Sequence, residues 1–409
     1  MRAVALGLSA LLLASCQTTM GTKAETSMSS AEMAALHART LTLDTHVDIP
    51  LTYMGEVDPG GVTEAQVDLP KMEAGGLDAA FFIVYTPQTP VSASGYKEAS
   101  AIAETRFAAI DKLVRTYPER IELAKTAADV RRIVAQGKRA ALIGMENAYP
   151  LGGTTKSVDL WADRGVRYMG ITHMGHNQFG DSSNPKAQWN EPDAVFGGLS
   201  DLGRDLVVAL NDAGIMVDVS HAGKATMMQA TALSRVPVIA SHSGVMGVAK
   251  SARNLDDEQL KTLATNGGVV QLVALGAYVK ALTPKQEAFK ASVRADMGLE
   301  TDKALWGMDE AQQKAYFAAL APMADMSPPA SVSDYADHID YAVKVAGINH
   351  VGIASDFDGG GGIAGWEDAS ETANVTEELI SRGYSEEDIA KIWGENLLRV
   401  MEAVEKGAK

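Results

Sequence analysis

Histidines and carboxylates close one apolar run after another in this chain. His46, Glu146, His173, His221, His242 and Asp356 each end such a run, and Asp48 lies just past the first. His46 and Asp48 are two apart, so an extended backbone turns both to the same face, where they can grip one cation. His221 and His242 add two neutral imidazoles, the ligand type suited to zinc. Glu146 falls between these pairs in chain order. A carboxylate can put one oxygen on each of two ions, so the set describes two Zn2+ bridged by Glu146, roughly 3.5–4 Å apart. Such a centre lowers the pKa of a bound water toward neutrality and holds a metal-bridging hydroxide against a polarised carbonyl, which is hydrolase chemistry. Asp356 is placed to carry the proton to a leaving nitrogen. His173, not needed as a ligand, is free to stabilise the developing oxyanion. The chain has one cysteine, Cys16, so any metal must be held by His, Asp and Glu, and no internal disulfide forms.

The runs that carry these residues span 41–46, 79–85, 140–146, 167–173, 215–221, 237–242, 268–273 and 350–356, and they alternate with amphipathic stretches such as 200–213 and 256–266. Eight parallel strands is the number that closes a barrel, and the C-terminal strand ends then converge on one rim. The expected fold is therefore α/β, a (β/α)8 TIM-type barrel with the site at that rim. One interval is far longer than a crossover needs. Residues 274–349 include helix-like segments at 284–295 and 309–321 and the breaker Met326-Ser327-Pro328-Pro329. This reads as an insertion after strand 7, at about 274–335, serving either as a lid or homodimer contact or as surface decoration.

Nearly half of the 409 residues are apolar, enough for one large core, and the formal net charge of −16 argues against a nucleic-acid-binding face, which needs clustered Lys and Arg. At the start, Met1-Arg2 precedes an apolar run over 3–14 that ends Leu13-Ala14-Ser15-Cys16. That run is shorter than the about 20 residues a membrane-spanning helix requires. Its end resembles a bacterial lipobox. Residues 1–16 are expected to be a lipoprotein-type signal peptide ending at Cys16, and 17–30 a flexible tether. Residues 31–409 are expected to form a single metal-dependent hydrolase barrel, exported and anchored to the membrane by lipid on Cys16, on the periplasmic side of the cell envelope.

Successive motifs carry a resemblance. They are Asp44-Thr45-His46-Val47-Asp48, Gly144-Met145-Glu146, Thr172-His173 with Asn177, Asp218-Val219-Ser220-His221, Ser241-His242-Ser243, Arg253-Asn254, Asn266-Gly267-Gly268-Val269-Val270 and Ser355-Asp356-Phe357-Asp358-Gly359. In this order, as far as Trp393-Gly394-Glu395-Asn396, the chain resembles the membrane dipeptidase family, renal dipeptidase-like and M19 among peptidases, of the amidohydrolase superfamily. The resemblance implies a zinc dipeptidase acting on dipeptides, including those with a C-terminal D-residue. It implies that His46 and Asp48 bind one zinc and His221 and His242 the other, with Glu146 bridging. It further implies that Arg253 binds the substrate's C-terminal carboxylate, His173 meets the scissile carbonyl and Asp356 shuttles the proton. Val47, Asn147 and the segment Ala274-Leu275-Gly276-Ala277-Tyr278 depart from the family pattern without removing a ligand. Two other readings are a binuclear-zinc amidase or deacylase of N-acyl amino acids, which needs the same centre and a different pocket, and a non-catalytic lipid-anchored binding protein. The presence of Asp356 beside all five ligands speaks against the second, since binding alone needs no proton shuttle.

Overall fold

The apolar runs fold into parallel strands because both of their faces are covered, which suits near-continuous Val, Ile, Leu and Phe rather than alternation. In the computed structural model, residues 28–55, 57–299 and 310–409 are described. The expected signal segment, Cys16 and the tether up to residue 27 lie outside them. The strands are β1 Leu43–Asp48, β2 Ala79–Tyr85, β3 Ile121–Leu123, β4 Arg139–Glu146, β5 Val166–Gly170, β6 Met216–Asp218, β7 Ile239–Ser243, β8 Val269–Val273 and β9 Val351–Ala354. Eight follow the order β1-β2-β4-β5-β6-β7-β8-β9, and β3 pairs with β4 outside this path. Past its last strand the sheet curls back on its first: the Asp48 amide donates to the Phe357 carbonyl at 2.9 Å and the Asp356 amide to His46 at 3.0 Å. The result is a nearly closed, TIM-like barrel of eight parallel strands. β3 is not among the expected runs, because Glu122 between Ile121 and Leu123 breaks the apolar continuity that marks the others.

Successive residues of β2 feed two different layers. Ala79, Phe81 and Ile83 join a cluster with Leu43, Leu142, Tyr168 and the C-terminal helix Asn396–Gly407. Ala80, Phe82 and Val84 join the larger core under the surrounding helices. Helix starts follow capping chemistry. Ser200 caps helix Asp201–Asp212 by accepting from Gly203, and Asp256 with Gln259 forms a capping box at Asp257–Thr265. Between β8 and β9 the chain forms helices Gly276–Val279, Pro284–Asp296, Glu310–Leu320, Met323–Met326 and Val332–Ala346, the last of which packs on both strands. Among the described residues no helix is long and apolar enough to cross a membrane.

The strand boundaries correct one expectation. β1 runs to Asp48, but β5 stops at Gly170, β6 at Asp218 and β9 at Ala354. His173, His221 and Asp356 therefore stand past the strands instead of closing them. His221 and Asp356 have φ of 64° and 62°. This left-handed geometry takes the backbone out of the regular strand conformation at the barrel mouth.

Candidate metal centre

Asp48, Glu146, His173, His221, His242, Arg253 and Asp356 line one cavity of about 240 Å³ at the C-terminal mouth, with His46 just beneath. Glu146, at the end of β4, stands at the middle. Its Oε1 is 2.8 Å from His221 Nε2, 3.3 Å from His242 Nε2 and 3.8 Å from His173 Nε2, while Oε2 lies 3.7 Å from His46 Nε2. Asp356 Oδ1 is 3.8 Å from the same His46 nitrogen. Donor atoms within 4.8 Å of one another form three groups: His46 with Glu146 and His242, Glu146 with His173 and His221, and His46 with Asp48 and Asp356. By distance, then, His242 sits with His46 as well as with His221, and His173 and Asp356 stand among the donors.

The donor set fits cations. His221 Nε2 and His242 Nε2 are 3.0 Å apart, and two imidazole lone pairs approach so closely only around a shared proton or ion. His46 Nε2 is buried without a hydrogen-bond partner. The opposite ring nitrogens of His46 and His242 are held from below, while His221 Nδ1 is buried without a hydrogen-bond partner. His46 Nδ1 is 2.9 Å from Tyr168 Oη, which lies 3.1 Å from the Thr45 carbonyl. His242 Nδ1 is 2.8 Å from Ser241 Oγ, which donates to Asp218 Oδ2 at 2.8 Å. Each chain ends on an acceptor, so each assigns the proton to Nδ1 and turns an Nε2 lone pair toward the cavity.

Burial sets the charge states. It pushes His46, His221 and His242 well below the usual imidazole range and His173 down to about 4, so all four rings are neutral at pH 7. Burial first, and then the Glu146 carboxylate, pushes Asp48 up to about 7. Asp356 is raised well above the carboxylate range by burial, then by Asp48 and Glu146. Crowded carboxylates facing neutral imidazoles are what a divalent cation relieves.

Arg253 is buried beside these groups. Its Nη2 donates to the His242 carbonyl at 2.9 Å, and its guanidinium carbon stands 5.4 Å over the Tyr278 ring. Several residues in or behind the cavity escaped sequence reasoning. Tyr85 ends β2 in register with Glu146, so it too stands at a strand end on the rim. Arg106 sits on helix Ala93–Thr116 in line with buried Ala99, Ala103, Ile110 and Leu113. A charge on an apolar stripe was the signal. Tyr168 lies inside a strand and carried none.

The sequence pattern of the membrane dipeptidase family, peptidase family M19, matches residues 30–409. Dipeptidase aclJ of Aspergillus oryzae is 31% identical over 352 residues, 84% of this chain and 71% of that protein. The crystal structure of the probable dipeptidase PvdM from Pseudomonas aeruginosa superposes with a TM-score of 0.83 at 37% identity, over 92% of this chain and 98% of that one. A metallo peptidase from Rhodobacter sphaeroides, solved with a phosphinate mimic of L-Ala-D-Ala, shares the fold at a TM-score of 0.70 and 22% identity, over 89% of this chain and 99% of that one. With the family pattern spanning almost all of it, this chain belongs to the membrane dipeptidase family, peptidase family M19.

Proposed function

We propose that this metallo-dipeptidase uses two zinc ions bridged by Glu146 and cleaves free dipeptides, including those with a C-terminal D-residue. The observation that carries the reading is the splay of the Glu146 carboxylate, with one oxygen toward His221 and His242 and the other toward His46. His46 and Asp48 would hold one ion, His221 and His242 the other. Imidazole-rich donors without thiolate favour zinc over magnesium or calcium. Bound there, the ions supply Lewis acidity and lower the pKa of water.

The remaining steps belong to the protein. Arg253 takes the substrate's C-terminal carboxylate, fixing which peptide carbonyl enters the mouth. His173, neutral at pH 7, donates to that carbonyl oxygen as negative charge develops on it. Asp356 accepts the proton of the attacking water and returns it to the amide nitrogen, so the C–N bond breaks to a neutral amine as the C–O bond is made. Residues 274–335 are read as an insertion on the same rim, supported by Tyr278, which lines the cavity; a homodimer contact there is a further reading. Export and lipid attachment at Cys16 are supported by the short apolar run and the lipobox-like Leu13-Ala14-Ser15-Cys16.

Zinc-soaked crystals measured at the zinc absorption edge test the centre. Two anomalous peaks sharing Glu146 are expected. One peak, or two peaks that leave Glu146 uncoordinated, would overturn the bridging assignment.

A further inference from the structure

The mouth holds a second guanidinium that the proposed chemistry does not use. Arg106 reaches it from helix Ala93–Thr116, between the ends of β1 and β2. Its Nη1 donates to the Ile49 carbonyl at 2.9 Å and lies 3.5 Å from Asp48 Oδ1, and its guanidinium carbon stands 5.1 Å over the Tyr85 ring. Nε is buried without a hydrogen-bond partner, and Nη1 carries the only bonds Arg106 makes to described residues. Anchored through Nη1, the guanidinium makes no bond through Nη2 to described residues, and Arg106 lines the cavity, so Nη2 is the donor left for a substrate carboxylate.

Around the barrel Arg106 belongs with β2, and Arg253 with the turn after β7. β2 and β7 are four places apart in a ring of eight, so the two guanidiniums stand on opposite walls. A plain dipeptide brings one carboxylate, and Arg253 takes it. The opposite wall faces the N-terminal residue, where a cation would repel a free α-ammonium unless that residue brought an anion. We infer that Arg106 is a specificity-determining residue that binds the side-chain carboxylate of an N-terminal Asp or Glu. The favoured substrates are then dipeptides with an acidic N-terminal residue. This inference rests on the dipeptidase reading and on Arg253 holding the other end.

The test compares kcat/KM for L-Glu-L-Ala, L-Gln-L-Ala and L-Ala-L-Ala on zinc-loaded wild type, Arg106→Met and Arg106→Lys, with metal content measured for each. The wild type should favour Glu over its isostere Gln by about tenfold or more, as a charge-assisted hydrogen-bonded pair would give. Arg106→Met should bring that ratio near one, and Arg106→Lys should keep part of it. Damage to folding or metal loading lowers both substrates together and leaves the ratio intact. A wild-type ratio near or below one, or an unchanged ratio in Arg106→Met, overturns the inference. Cleavage of L-Ala-L-Ala without any preference for Glu defeats it alone, whereas no cleavage of any dipeptide by loaded protein defeats the dipeptidase reading as well.

Discussion

The hydroxyl of Tyr168 lies 2.9 Å beneath Nδ1 of His46, inside the barrel and on the far side of the ring from the metal cavity. Gly144 makes room for it: a Cβ at that position would come within 2.3 Å of the Tyr168 ring. A residue that shows no chemistry in the sequence thus orients His46, a proposed metal ligand, and a glycine on the neighbouring strand permits it. Tyr168→Phe should lower metal affinity about 10–100-fold, the usual cost of losing a partner behind a ligating histidine. Gly144→Ala should act in the same direction by displacing the ring. Competition with a chromophoric chelator measures both, and wild-type affinity in both variants would remove Tyr168 from the account.

Glu146 and Asp356 are predicted to separate. Glu146→Gln should lower bound zinc by elemental analysis. Asp356→Asn should keep zinc near the wild-type content while kcat falls at least about 10²-fold through loss of proton transfer. Because Asp356 also stands within 4.8 Å of His46 and Asp48 donor atoms, loss of zinc in Asp356→Asn would make it a ligand instead of a shuttle.

Arg253→Met should cost free dipeptides about 10²-fold or more in kcat/KM, the loss expected when a buried ionic hydrogen-bonded contact disappears. Dipeptide amides, which lack the carboxylate, should be poor substrates for the wild type and little changed by the substitution. An equal loss for both substrate types would show that Arg253 supports His242, to whose carbonyl it donates, and does not read the substrate.

His338 gives a pH prediction away from the centre. Its Nδ1 accepts from the Val245 amide at 3.1 Å and its Nε2–H donates to the Val279 carbonyl at 2.8 Å, a neutral-ring arrangement. Burial holds its pKa below the usual 6.5. As pH falls through 6.5 the unfolded chain takes up this proton and the folded chain does not. The contribution of His338 is therefore complete above that pH and declines in acid, by up to about 1.4 kcal/mol per pH unit. In urea unfolding at pH 8, His338→Gln should be less stable than wild type by about 1–3 kcal/mol. The gap should narrow between pH 6.5 and 5. A gap independent of pH would contradict the neutral-ring assignment.

The sequence carried the barrel well because strands covered on both faces write long apolar runs, and β2 occupies the residues expected of it, 79–85. It carried the strand ends less well. Hydrophobicity does not mark where a regular strand gives way to a turn, so His173, His221 and Asp356 look like last strand residues, whereas the strands end at Gly170, Asp218 and Ala354. Residues with intrinsic metal chemistry were legible from type and position. Those that act through a neighbour were not: Tyr168 reads as one more aromatic in a buried strand, and Ser241 and Asp218 matter only because the fold stacks them behind His242. Arg106 falls between these cases, since its place on a buried helical stripe was visible and went unused.

The most direct test of the central claim is turnover of L-Ala-L-Ala, L-Ala-D-Ala and N-acetyl-L-alanine by zinc-loaded protein, with and without chelator. Cleavage of the free dipeptides that stops with chelator and returns with zinc, and no cleavage of N-acetyl-L-alanine, is the predicted result. Fully loaded protein that leaves both dipeptides intact, or that hydrolyses N-acetyl-L-alanine in their place, would contradict it.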